Sequence, residues 1–274
     1  MGEQPVFDGS TVRRPLPDHA DMASFRRLCR SSPWKWDSVR FTWESWDAQH
    51  SPEPWAPGQP AGPVTAMIRR PAAVRVQDAQ GAVLFADTGR APSKDAAFVS
   101  ATRDAWLLPP RLLSPVYEND GLVSRRPEAA YVIPSLPAAG WNSILDPVEL
   151  AGCAPGPADL PFPHPLIIHE LIRASDSAGR DGWEAVVSPG RLYAPAVAGA
   201  PLVGDGRCTV RIDMATGICT GSQWLEGTRA GRGHSLRILA VNEYMIDDLF
   251  EQPQEPLTDV RKHIRWVVGG HRPA

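Results

Sequence analysis

The sequence predicts a mainly β (α+β) protein, in which antiparallel meanders carry a few helices, on three observations. Apolar and polar residues alternate with period two in short segments between residues 39 and 85, and again between 166 and 240. The chain holds 29 prolines and 23 glycines in 274 residues, which favours turns and short elements over long helices. Helical spacing is confined to a few brief stretches.

Residues 1–20 carry charges and prolines without periodicity and read as a loosely packed arm, with a single domain over 21–274. Met22, Phe25, Leu28 and Cys29 fall at helical spacing behind Asp21 as a candidate cap, and this helix is expected to end before Ser31-Ser32-Pro33. Val39, Phe41 and Trp43 then alternate with Arg40, Thr42 and Glu44. Prolines make 51–58 a loop. Val64, Ala66 and Ile68 begin a second strand, and Val74 and Val76 a third; the Asp78–Gly81 turn leads to a fourth at Val83–Phe85.

Residues 90–160 read as an insertion of helix and loop. Phe98, Ala101, Ala105 and Leu108 share a helical face ahead of Pro109-Pro110, and Pro147–Leu150 is a helical turn that Asp146 would cap. Strands resume at 166–173 and 182–187, joined by a turn at 176–182. Cys208, Val210 and Ile212 alternate with arginines and threonine, Asp213–Gly217 turns into 218–225, and a turn at 227–233 leads into Leu236, Ile238 and Ala240. A last helix is expected over 256–268.

With 43% hydrophobic and 22% charged residues, the chain is that of a folded globular protein able to bury a large core. A net charge of −3 gives no electrostatic reason to bind nucleic acid. Nor does any apolar run approach the roughly 18 residues that span a bilayer. The first residues lack a secretory or myristoylation pattern, so a cytoplasmic protein is expected. Cys29, Cys153, Cys208 and Cys219 have no metal-ligand spacing and are expected to be small buried thiols. No phosphate-cradling loop or nucleophile elbow occurs, and no metal or cofactor is expected.

Three segments carry a family resemblance: Thr209–Ile218, a strand ending at Asp213 before a Gly217 turn; Val241–Phe250, closing on Leu249-Phe250; and Ile68–Val76, with its Pro71-x-x-x-Arg75 step. In their order, and in the helix–meander–insertion–meander sequence, they resemble the LolA/LppX-like lipoprotein-carrier fold and its actinobacterial relatives. That resemblance implies a curved, incompletely closed antiparallel half-barrel whose open side is covered by helices, with an apolar cavity for acyl chains or other hydrophobic molecules between them.

On such a sheet the concave face collects side chains of one parity: Val39, Phe41, Trp43, Ile68, Phe85, Trp183, Ile212 and Ile238 are the candidate ligand-lining residues. Arg40, Thr42, Glu44, Arg211 and Arg237 should face water. The first functional reading is a binding protein whose partner is a hydrophobic small molecule, lipid-like or polycyclic. A second is a pocket enzyme (cyclase, isomerase or hydrolase), with His169 or Glu170 as general acid or base, because a strand buries one of two adjacent ionisable residues on its inner face. A third is a module that docks a partner on a free sheet edge. Asp213 is expected to serve its turn, and Asp247-Asp248 to lie in a solvated one.

Overall fold

Period-two alternation becomes nine strands of one antiparallel sheet in the computed structural model, which describes residues 19–89, 109–128, 136–156 and 163–252. Of the arm expected over 1–20, residues 1–18 lie outside the described residues, as do the helices expected at 97–108 and 256–268, while the arm's last two residues open a helix. The strands are β1 (Ser38–Trp46), β2 (Val64–Arg69), β3 (Ala73–Gln77) and β4 (Val83–Asp87). After the small β5–β6 ribbon (Val116–Tyr117, Val123–Arg125) come β7 (Leu166–Ser175), β8 (Asp181–Pro189), β9 (Cys208–Asp213), β10 (Cys219–Trp224) and β11 (Gly233–Val241).

The sheet runs β4-β3-β2-β1-β11-β10-β9-β8-β7 and is left open, half-barrel fashion, with β4 and β7 at its edges. The two meanders join where β1 pairs with β11, far apart in sequence. Alternation sets the register. Phe41 lies between Ala66 and Ile238, Val39 beside Ile68, and Trp183 beside Ile212, so one face gathers the apolar set. Against that face lie helix α1 (His19–Lys35), helix α2 (Ala139–Leu145), and the loops around them.

Helix α1 runs through Pro33 instead of stopping before Ser31. A proline in a helix strips a donor from the carbonyl four residues back and crowds it. Here the freed Cys29 oxygen is taken by a buried guanidinium: Arg126 donates to it at 3.3 Å and to the neighbouring Arg30 carbonyl at 2.9 Å. That same cation claims Asp146, so the carboxylate pairs with Arg126 and does not cap the 148–150 turn, whose cap position is Pro147. Uncompensated buried charge costs far more than a missing cap, and the ion pair wins. Arg30 fastens the other side of α1 to the carbonyls of Ala151, Gly152 and Ala154.

On the outer face, Glu44 and Arg237 are exposed as expected, while Arg40, Thr42 and Arg211 are half-buried. For Arg40 the cause lies in the chain after β11. Residues 243–250 fold back over β2 and β3, burying Met245 and Phe250 against Ala73 and Met67. Glu243 pairs with Arg40 at 3.2 Å, and Asp247 with Arg69, so Asp247 is not a purely solvated turn residue. Arg211 reaches the carbonyls of Ala174 and Arg180. Asp213 takes up its turn role three residues on, accepting from the Thr216 amide and hydroxyl at 2.8 and 2.7 Å, and it also binds Arg180. Cys29, Cys208 and Cys219 are buried free thiols, whereas Cys153 is exposed.

Candidate functional site

A pocket of about 360 Å³ opens on the inner face, between β1, β10 and β11 below and α2 with two loops above. Its volume is at the lower end of the ~300–1,000 Å³ usual for small-molecule sites. Four indoles wall it: Trp43 from β1, Trp55 from the proline-rich loop, Trp141 from α2 and Trp224 from β10.

Each indole is placed by local chemistry. The Asp47 carboxylate accepts from the amides of Gln49 and Ser51, turning the chain after β1 back on itself, and the Glu53 amide then bonds to the Ser45 carbonyl. This fold-back carries Trp55 over the sheet. Trp55 and Trp141 stack with centroids 5.7 Å apart, and Trp141 meets Trp43 and Phe41 edge-on at 5.8 and 5.4 Å. Both are favoured aromatic geometries. Trp224 donates its N–H to the Leu202 carbonyl at 3.1 Å. Gly204 permits that approach, because a Cβ there would meet the Trp224 ring at 2.6 Å.

Glu149 holds the upper wall together. Its buried carboxylate accepts from the Tyr193 hydroxyl, the amides of Ala196 and Leu202, and the Ser143 hydroxyl of α2. Burial and this neighbouring carboxylate push the Tyr193 phenol well above its usual range, so it stays a neutral donor. Sequence reasoning placed Glu149 only in a helical turn; a single acid inside the apolar run Pro147-Val148-Glu149-Leu150 was the available clue.

Polar side chains share the wall with the indoles. Ser45, His234 and Ser222 border the pocket from the sheet, and Glu53 and Arg232 form an ion pair of 3.1 Å at its more exposed side. Burial depresses the His234 imidazole to about 4, so it is neutral at pH 7. The indole N–H groups of Trp43, Trp55 and Trp141 are buried with no hydrogen-bond partner among the described residues. Buried donors are rarely left so.

Among the residues expected to line a ligand space, Trp43 alone borders this pocket. Val39, Phe41, Ile68, Trp183, Ile212 and Ile238 are buried in the core, and Phe85 is half-buried against it. Their parity is shared, but helices and loops cover most of that face directly. His169 and Glu170 sit half-buried on edge strand β7, at a register shift, and neither borders the pocket. His169 meets the Ser188 hydroxyl at 2.9 Å, and burial with the nearby Arg207 charge lowers its pKa. Among the described residues no cluster of His, Cys, Asp and Glu could hold a metal ion. No described helix is long and apolar enough to cross a membrane. No protein-family model and no curated protein matches this chain.

Proposed function

We propose that this chain is a binding protein that holds a hydrophobic small molecule, lipid-like or polycyclic, in the pocket between the sheet and α2. The observation that carries the reading is the four-tryptophan enclosure around about 360 Å³. Apolar wall left facing open space forgoes the dispersion contacts that a packed interior makes, and an apolar occupant restores them. The reading extends the LolA/LppX-like resemblance, in which a ligand space lies between an open antiparallel sheet and the helices across it. An open sheet with α2 laid over β1 is the arrangement that supports it.

The test is calorimetric titration of the protein with 2-methoxynaphthalene, beside native mass spectrometry of gently purified material. Saturable one-to-one binding is expected, weakened at least tenfold in Trp141→Ala and in Trp224→Ala. Absence of binding by 2-methoxynaphthalene and by hexadecanoate alike, with no hydrophobic molecule retained in native mass spectrometry, or binding that both variants leave unchanged, overturns the proposal.

A further inference from the structure

The pocket's polar groups form a row. Across β1, β11 and β10, Ser45 is the register partner of His234, and His234 that of Ser222, and all three border the cavity. The partners of His234 favour one tautomer. Its Nε2 lies 3.4 Å from the Cys219 carbonyl, which only accepts, so Nε2 bears the hydrogen. The neutral ring then leaves Nδ1 as an acceptor, and it takes the Ser222 hydroxyl proton at 2.8 Å. Ser222 has thereby used its one donor. What remains on its oxygen is accepting capacity.

Charge is balanced around this row. His234 is neutral, and Glu53 and Arg232 compensate each other. A carboxylate or ammonium ligand would therefore lose its hydration without gaining a counter-charge. An acyl chain would leave the serine row unmatched, whereas a flat ring can lie along the tryptophans and turn a polar edge to the sheet.

Building on the binding reading above, we infer that the occupant is an uncharged, flat ring compound with a hydrogen-bond donor on its edge, a phenolic O–H or ring N–H, which Ser222 accepts while the ring lies within the tryptophan enclosure beside Trp43 and Trp224. Ser222 is thus a specificity-determining residue, oriented by His234.

The experiment compares 2-naphthol, which has the donor, with 2-methoxynaphthalene, which keeps the ring and oxygen but cannot donate, and with hexadecanoate. Calorimetry is run at pH 7 on the full chain and on Ser222→Ala. The unaltered protein should prefer 2-naphthol over 2-methoxynaphthalene by roughly tenfold, the worth of one hydrogen bond. Hexadecanoate should not compete. In Ser222→Ala the preference should vanish, the two ring compounds then binding equally. Equal binding of the two ring compounds by the unaltered protein overturns the inference and leaves the binding reading standing, so a variant that fails to fold does not spare it. A preference that survives in folded Ser222→Ala overturns the role of Ser222. Tight binding of hexadecanoate alone overturns the ring assignment in favour of an acyl site. If no compound binds, both proposals fall.

Discussion

Replacing Glu149 by glutamine asks how firmly the pocket's upper wall is held. One carboxylate oxygen accepts from the Leu202 amide at 2.7 Å and the Tyr193 hydroxyl at 2.8 Å. The other accepts from the Ala196 amide at 2.7 Å and the Ser143 hydroxyl at 3.1 Å. Glutamine keeps the shape but converts one oxygen to an NH2 group. A hydroxyl facing that group rotates and accepts from it, but a backbone N–H cannot. Whichever way the amide sits, Ala196 or Leu202 is left donor against donor. An orphaned buried donor costs about 1–3 kcal/mol, and the surviving bonds lose their charge assistance. The expected loss is about 2–4 kcal/mol in urea unfolding, with Tm lower by roughly 2–4 °C for each of them. Amide exchange should show one of the two N–H groups losing protection, and binding of 2-methoxynaphthalene should weaken as the 199–202 wall loosens. A loss below about 0.5 kcal/mol, the level of ordinary surface changes, with both amides still protected, would refute the reasoning.

Phe41→Ala, at a fully buried site, should cost about 3–5 kcal/mol, whereas Trp43→Ala should cost less because its void joins the existing pocket and a partnerless N–H disappears; denaturant melts of both variants check the order, and the reverse order refutes it. Arg126→Ala should lose about 3–5 kcal/mol by removing the buried cation that pairs with Asp146 and donates to two helix carbonyls. Pro33→Ala returns an N–H to the Cys29 carbonyl, so the double variant should lose about 1 kcal/mol less than the sum, and strict additivity in the cycle would argue against that repair. The His234 pKa of about 4 lies below its ordinary 6.5, so the unfolded chain binds the proton first. Stability from this group is complete above pH 6.5 and falls, by on the order of 3 kcal/mol, as pH drops toward 4. His164 is depressed to about 4 as well, so His234→Gln should remove only part of the slope between pH 6.5 and 4; an unchanged slope refutes the assignment.

Strand positions and facing were legible because they depend on near neighbours. Alternation in 39–43, 64–68, 74–76 and 208–212 places every second side chain on one face, and each of those apolar residues is buried. Turns at 78–81 and 213–217 were equally local, since Asp side chains there bind amides within four residues. Where distant groups compete, local reading failed. Helix α1 passes Pro33 because Arg126, nearly a hundred residues on, replaces the lost donor at Cys29 and also binds the Arg30 carbonyl. Asp146 forgoes its cap for the same cation. Arg40 is half-buried because residues 243–250 return across the outer face.

The amino-acid sequence by itself determined that this chain builds antiparallel meanders and which face of its regularly alternating strands turns inward, because those depend on spacing along a few residues. Only the tertiary structure decided where that inner face is left unfilled. The pocket joins a β1 indole to indoles from a proline-rich loop, a seven-residue helix and β10, and its wall hangs on Glu149. Convergence of groups so far apart in the chain leaves no period or spacing to read, since each residue taken singly is another buried tryptophan or a lone acid in an apolar turn.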